Sequence, residues 1–408
     1  MLIHFWNLPE KRNYIVLKEE FKQNLLSQLN EKDCPWKIKE KIKNGKLSIE
    51  KIKGLAKKEN IPLYLIEENI SWVGGNNSKG LSNPKFPINF LTKNAARFIA
   101  AIVNDGTLTK ENKNSKGRIM YDNFDESLRN SVLQDCLSIF GGKSDEIAFR
   151  NSEKKKYLEF SSVIRDIMEL ILKSKGPKCE TNIEVPSFIL ESEDLISSWI
   201  EQTVGDEGEV KYYPNKYRRA IVWRRSLDVT DLFNKKIDKD IPLRTLSKNM
   251  QEVLNKKRCN LITAEEKMLN LLGIKYRLYN LGLYPTVKNK IRTRWQISIT
   301  KRENLLKLRK LIKIPSEIKD LKLTAITEEF VRCKEPSKIR EKIVELGKRS
   351  NSFTSIDLKK KMKYKNTNTA IKWLKIFEKQ SLIKKVKESS YGNGYYRKPA
   401  EYELILDK

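Results

Sequence analysis

Between Leu91 and about Ile314 the hydrophobic pattern runs twice through the same series of elements. Phe98-Ile-Ala-Ala-Ile-Val-Asn-Asp-Gly106 is a mostly apolar, helix-like run that ends in an acidic residue followed by Gly. A strand pair is predicted after it, from about Gly106 to Tyr121. Then come a helix from Asp125 to Phe140 ended by Gly141-Gly142, a second strand pair from Ile147 to Phe160, and a helix from Ser162 to Lys173. Roughly a hundred residues on, Ile200-Glu-Gln-Thr-Val-Gly-Asp-Glu-Gly208 opens the series again. Strands from Glu209 to Val229, a longer helical insert from Asp231 to Leu272, strands from Lys275 to Thr300 and a helix from Glu303 to Ile312 follow. Both halves, 91–185 and 186–314, fit α-β-β-α-β-β-α. The Lys-rich stretch from Asp231 to Arg258 has no counterpart in the first half, so the halves are unequal.

The flanks read differently. Residues 1–85 are expected to be helical and basic: Ser48, Glu50 and the apolar set Ile49, Ile52, Leu55 and Ala56 predict a capped helix. Asn60-Ile-Pro62 then turns the chain into a second short helix through Glu68. The pair resembles a helix-turn-helix, and a small helical docking domain is the plain alternative. Gly74-Gly-Asn-Asn-Ser-Lys-Gly80 with Pro84 and Pro87 reads as a linker. Residues 315–408 have the pattern of a winged helix. Thr354 and Asp357 make a capping box for a helix to Met362, and Ile371, Leu374 and Phe377 lie at helical spacing in Asn366 to Gln380. Leu382 to Lys387 and Tyr395 to Leu406 read as two strands joined around Gly392-Asn-Gly394. Lys384, Lys385, Lys387, Arg397 and Lys398 on that hairpin suit phosphate contact.

Composition adds a partner. The 408 residues carry 82 Lys and Arg against 52 Asp and Glu, a formal charge of +30, and so positive a field draws polyanions. Nucleic acid comes first. An anionic membrane comes second, but no run of eighteen apolar residues and no signal-peptide core exists, so no membrane partner is expected and the protein is expected to be cytoplasmic. Five cysteines (Cys34, Cys136, Cys179, Cys259, Cys333) form no CxxC pair and read as reduced core residues. His4 is the sole histidine, which removes zinc hydrolases, Ser-His-Asp chemistry and His-dependent nucleases. Chemistry here falls to carboxylates, Lys and a hard divalent cation. In so basic a chain the repeated motif suggests two helices side by side, each delivering one carboxylate to a bound polyanion.

The duplicated motif and its α-β-β-α-β-β-α setting resemble the LAGLIDADG homing endonucleases in their single-chain form. The resemblance implies an α+β fold in which two pseudo-symmetric halves form a DNA-binding saddle, flanked here by the helical and winged-helix segments, and it implies a monomer. It covers about Leu91 to Ile314. Asp105-Gly106 and Glu207-Gly208 match the end of the motif, while Val103 and Gly205 replace its first Asp. Ala100 and Ala101 suit a close helix contact. Gln202 stands where the family prefers Gly, with Glu201 beside it, so the second helix is expected to pack less closely or to use a hydrogen bond. The resemblance implies that Asp105 and Glu207 hold Mg2+ against the scissile phosphates for hydrolysis of both strands. It places a Lys where the last strand meets the last helix of a half, matched by Lys301; the first half has Ser161-Ser162 there. Asn123 and Arg225 fall near its water-orienting positions. Asp206 is expected to turn away as a capping or solvated acid.

Recognition has its own signal. Lys288, Lys290, Arg292 and Arg294 alternate with Ile291, Trp295, Ile297 and Ile299, which predicts one cationic and one apolar strand face. Lys216, Tyr217, Arg218, Arg219, Trp223, Arg224 and Arg225 repeat the theme, and Arg118, Tyr121, Arg150 and Lys154 to Lys156 supply it in the first half. Such faces suit a major groove. The expected activity is site-specific, Mg2+-dependent double-strand DNA cleavage of the kind associated with intron mobility. A non-cleaving DNA-binding regulator on the same fold is the main rival, favoured by Gln202 and the missing first-half Lys. An RNA-splicing maturase acting on intron RNA is a further alternative. An intein is not expected from a chain that starts Met1-Leu2 and ends Leu406-Asp-Lys408.

Overall fold

The computed structural model describes residues 1–29, 40, 42–43, 45–75, 79–109, 117–152, 155–173, 182–213, 218–234, 236–286, 289–332, 336–364, 366–391 and 397–405. They form two compact units of mixed α/β structure, Met1–Ala325 and Ile326–Lys408. The boundary therefore lies inside a helix, Glu317–Arg332, and not at residue 315, because the first turn of that helix is bonded into the first unit. Among the described residues no helix is long and apolar enough to cross a membrane.

The first unit opens on β1 (Leu2–Ile3), β2 (Asn13–Leu17), α1 (Glu19–Gln28), β3 (Leu47–Ser48), α2 (Ile49–Lys58), α3 (Leu63–Glu68), β4 (Ile70–Gly75), β5 (Leu81–Ser82) and β6 (Ile88–Asn89). The expected helix pair is present as α2 and α3, with the Ser48 hydroxyl accepting from the Lys51 N–H. The expectation of an all-helical segment is corrected, since β3-β2-β4-β5 form a four-stranded sheet. The expected linker is corrected too. Its glycines belong to the β4–β5 hairpin, where a Cβ on Gly74 would stand 2.5 Å from the Trp72 ring and one on Gly80 would also collide with that ring. Residues 76–78 lie outside the described residues.

The middle of the unit carries the predicted series twice. First come α4 (Lys93–Asn104), β7 (Gly106–Leu108), β8 (Ile119–Asp122), α5 (Glu126–Phe140), β9 (Ala148–Asn151), β10 (Lys156–Phe160) and α6 (Ser162–Leu172). Then come α7 (Glu193–Asp206), β11 (Glu209–Tyr213), β12 (Arg218–Asp228), β13 (Ile241–Pro242), α8 (Lys248–Lys256), α9 (Asn260–Leu271), β14 (Arg277–Pro285), β15 (Ile291–Ile299) and α10 (Arg302–Leu311). The sheets run β7-β8-β10-β9 and β11-β12-β15-β14-β13, so the second strand of each first hairpin pairs with the second strand of the next. The insert is less helical than its sequence predicts. It adds β13 to the sheet edge and closes a small core of Val229, Leu254, Leu283 and Ile291.

Helices α4 and α7 pack against each other along their length. Every residue from Phe98 to Asn104 is buried, as are Trp199, Ile200 and Gln202 to Gly205. Phe98 sets its edge against Phe140 and Phe160 at 5.3 and 5.4 Å, tying α4 to its own sheet and to α5. Arg97 and Glu201 reach across the helix pair at 3.8 Å. A buried polar knot joins the N-terminal sheet to α6: Arg12 and Asn13 both donate to the Asp166 carboxylate, which Arg165 also approaches. Cys136 and Cys259 are buried thiols; Cys34, Cys179 and Cys333 lie outside the described residues.

From Glu317 the chain continues as α11 (Glu317–Arg332), α12 (Pro336–Arg349), β16 (Phe353–Thr354), α13 (Ser355–Met362), α14 (Thr367–Lys379), β17 (Ile383–Lys387), β18 (Ser390–Tyr391), β19 (Arg397–Lys398) and β20 (Glu401–Leu404). In the second unit β16-β20-β17 form a small sheet over a core that includes Ile343, Leu358, Leu374 and Phe377. The Thr354–Asp357 capping box is complete: each side chain bonds the other residue's backbone N–H. The tip at 392–394 lies outside the described residues.

Gly106 and Gly208 occupy the same place in the two copies. A Cβ on Gly106 would come 2.6 Å from the Ile102 Cα, and one on Gly208 2.7 Å from the Val204 Cα, so each chain leaves its helix folded back on the last turn. Gly106→Ala and Gly208→Ala are each expected to lower stability by about 1–3 kcal/mol in urea denaturation. Gly54→Ala, inside α2 with open space at the Cβ, is expected to raise it by about 0.5–1 kcal/mol.

Candidate active site at the end of the helix pair

Both motif helices stop at their acids. Asp105 is the C-cap of α4, its N–H bonded to the Ala101 carbonyl, and Glu207 is the C-cap of α7, bonded to the Thr203 carbonyl. Two helix C-termini point the same way, and the partial negative charge of their last carbonyls adds to that of the side chains. The ends are also joined. The Asn104 amide donates to Asp206 Oδ2 at 3.0 Å, linking the residues just before the two expected metal acids.

Asn123 is brought to Asp105. Its Nδ2 donates to Asp105 Oδ2 at 2.7 Å, while its Oδ1 accepts from the Asp125 N–H at 2.9 Å, so the amide is held from both sides. Arg225 is brought to Glu207, with Nη1 at 3.3 Å from Oε1, but a water-orienting role is not what surrounds it. The side chain is 5 % exposed. Its donors go to Asn104 Oδ1 at 2.7 Å and to Glu265, itself fully buried, at 2.5 and 3.0 Å. Burial works against the Arg225 cation; the Glu265 and Glu207 carboxylates overcome it and hold its pKa above the ordinary guanidinium value. Glu265 also accepts from the Trp223 indole at 2.8 Å, so β12 and α9 meet on one carboxylate.

Asp206 corrects an expectation. It does not turn to solvent but is half-buried, accepting from the Tyr121 hydroxyl at 2.6 Å, from Gln202 Nε2 at 2.9 Å and from Asn104. The Gln202 bond stays within its own helix, four residues on, and does not cross to α4. Burial, and then the charge of Asp105, push the Asp206 carboxyl up to about 7, against three donors that favour the anion.

Lys301 is placed elsewhere. It is the exposed N-cap of α10, two residues past Ile299, which pairs with Ile221, whereas Arg225 pairs with Trp295. Six strand positions, about 20 Å, separate its row from that of Arg225. The lysine at the acids is Lys319, in the first turn of α11. Its Nζ donates to the carbonyls of Gly205 and Asp206, at 3.3 Å for the latter. Burial lowers its pKa, while Asp206, Asp105, Asp125 and Glu207 pull the other way. Nothing in the sequence marked it, because it is one basic residue among many in an ordinary amphipathic stretch.

The expected cationic strand face exists on the second sheet. Along β15, Ile291, Thr293, Trp295 and Ile297 are buried and Arg292, Arg294 and Gln296 are half-exposed. Arg224 lies opposite Gln296 and Asp228 opposite Arg292; Arg294 stacks 4.1 Å over Tyr284, and Lys290 pairs with Asp228 at 3.4 Å. Arg218 is exposed at the far end. The first sheet mixes signs, with Arg150 and Arg118 beside Asp122 and Glu159, and Arg118 is 3.4 Å from Glu159. Lys216, Lys288, Tyr217 and Lys154 lie outside the described residues.

The site makes a pH prediction. Because the folded-state pKa of Asp206 lies above its unfolded value, the folded chain binds the extra proton, and its stability falls as pH rises from about 4 through 7. Asp105→Asn removes the repelling charge. It is expected to move the Asp206 carboxyl resonance, followed by NMR titration, toward the ordinary carboxylate range and to flatten the decline in stability. An unmoved titration would show that Asp105 is not the source of repulsion.

No family model matches the chain, and no curated protein matches it. Among solved structures it is similar to the homing endonuclease I-WcaI bound to its DNA recognition sequence, at a TM-score of 0.28 and 12 % identity, over 57 % of this chain and 87 % of that one.

Proposed function

We propose that this chain is a site-specific double-strand DNA endonuclease of the LAGLIDADG type, with two pseudo-symmetric halves in Met1–Ala325. The observation that carries the reading is the abutting pair α4 and α7, whose C-caps are Asp105 and Glu207 and whose ends are joined by Asn104 and Asp206. The repeated sheet order and the arginine face of the second sheet support it, since a row of arginines and tyrosines suits phosphate and base edges.

The donor set fits a magnesium ion shared with the substrate better than one resident on the protein. Among the described residues there is no group of three or more His, Cys, Asp and Glu able to hold a metal, while Mg2+ accepts one or two carboxylates and completes its shell with water and phosphate oxygens. Asp105 and Glu207 would hold it. Bound there it supplies a Lewis acid and a water of lowered pKa. The protein's own part is positional: Asn123 fixes the Asp105 carboxylate, and Arg225 steadies Glu207 from below. The Arg225–Glu207 contact is the looser of that guanidinium's two pairs. Glu207 is 34 % exposed and 3.3 Å away, a screened contact contributing about 0–1 kcal/mol, whereas Glu265 takes two shorter bonds in full burial. Glu207 can therefore turn to a ligand without undoing the core.

A non-cleaving duplex-binding protein is the second reading, favoured by the two cations already among the acids, Arg225 and Lys319. In Ile326–Lys408 we read a winged helix, with β17 and β20 as its wing. Wing lysines expected to meet phosphate are in ion pairs, Lys384 with Glu403 at 3.2 Å and Lys387 with Glu401 at 3.3 Å. Lys372, Lys375 and Lys379 instead line one exposed face of α14.

Selection of cut molecules from a random duplex library in Mg2+ tests the reading. Asp105→Asn and Glu207→Gln are each expected to slow cleavage by about 10²-fold or more while leaving duplex binding within a few-fold. Cutting that survives both changes removes these acids from the chemistry. Sequence-specific retention with no nick in Mg2+ or Mn2+ selects the second reading. Arg292→Ala and Arg294→Ala are expected to reduce the salt dependence of DNA affinity, by about 1 in log–log slope for each lost phosphate contact.

A further inference from the structure

The ends of α4 and α7 present inward-facing carbonyls and the carboxylates of Asp105, Asp206 and Glu207, with Asp125 nearby. So much negative charge at a half-buried point calls for a cation. One is there. The Lys319 ammonium lies against the Gly205 and Asp206 carbonyls, within the field of all four acids.

Its placement is built into the fold. The first turn of α11 is bolted to the start of α5: the Ser316 hydroxyl donates to Asp125 Oδ2 at 2.5 Å, and the Glu317 N–H donates to the Ser127 hydroxyl at 3.2 Å. Asp320 holds the approach by accepting from the Ile314 N–H at 2.9 Å and from Arg309 at 2.6 Å. Pro315 rests beside Gly205, where a Cβ would meet its ring at 3.4 Å. These contacts fix the backbone from which the Lys319 side chain reaches the two carbonyls.

We propose that Lys319 is the second internal cation of this site beside Arg225, a tethered ammonium that offsets the acid cluster and keeps divalent ions weakly bound until a polyanion arrives. The proposal rests on reading Asp105 and Glu207 as cation-holding groups, and not on cleavage itself. A phosphate backbone entering the site adds negative charge, so an ion too weakly held beside Lys319 alone becomes bound when substrate is present. The site thereby couples metal binding to DNA binding.

The test uses the full chain without nucleic acid and reads Mn2+ binding from the electron paramagnetic resonance signal of the free ion. Lys319→Met is expected to bind Mn2+ at least about tenfold more tightly than the parent chain, and Lys319→Arg to bind it as the parent does. Circular dichroism and thermal unfolding establish that the variants are folded. Should the methionine variant fail to fold, Lys319→Gln, uncharged but still able to donate to the helix carbonyls, carries the same expectation. Unchanged or weakened Mn2+ affinity in a folded, uncharged variant overturns the proposal. Because the readout is ion binding, it can fail in a chain that cuts DNA and succeed in one that does not.

Discussion

The contact on which the rest of the site depends is the packing of α4 on α7. Two helices buried over most of their length fix the separation of their C-termini, and everything chemical here hangs from those ends. Ala95, Ala96, Ala100 and Ala101 keep α4 slim, and Gly205 lets Leu128 and Pro315 approach α7. The glycines after each acid fold the chain back on its own last turn, which aims β7 and β11 away from the junction.

Holding several carboxylates close together is costly, and the fold meets that cost with donors of graded strength. Glu265 is buried completely and receives a guanidinium and an indole, a partnership whose rupture would leave an unpaired interior charge at about 3–5 kcal/mol. Asp206 receives only neutral donors, which do not fully offset burial, and so it retains affinity for a proton near neutrality. Glu207 is more exposed and loosely paired. The charges are ranked by depth: a fixed ion pair below, a titratable acid between, and a more exposed acid at the rim.

Much of this frame could be read from the residues. Strong signals are those with a local cause: Ser48 and Thr354 at helix starts, Gly141 at a helix end, and the alternation along β15. Duplication is what singles out Asp105 and Glu207, whereas Asn123 is singled out only through the resemblance. Errors arose where the cause was long-range. Tyr14-Ile-Val-Leu17 is a short apolar run whose helical or strand fate is decided by its neighbours in the sheet, β3 and β4. Lys301 was misjudged through strand direction. β11 leaves the acids, β12 returns to them, and β15, antiparallel to β12, leaves again, so the residue after β15 lies at the far end. Lys319 and Glu265 sit outside the repeated motif, and only the folded chain brings them to it.

The two halves are alike in topology and unlike in charge, and that difference bears on how a duplex would be held. On the second sheet the outward acid Asp228 is already engaged by Lys290, leaving Arg224, Arg292 and Arg294 to dominate. On the first, Asp122 and Glu159 interrupt Arg118 and Arg150, and one arginine is spent on Glu159. Attraction to phosphate sums over a face and is screened within about 8–10 Å at physiological salt, so the neighbouring sheet cannot lend its surplus across the molecule. On the proposed reading the second half therefore supplies most of the sequence-independent grip. The first, whose described residues hold fewer unopposed cations, must depend more on shape and on individual polar contacts, which makes it the half less tolerant of a mismatched base.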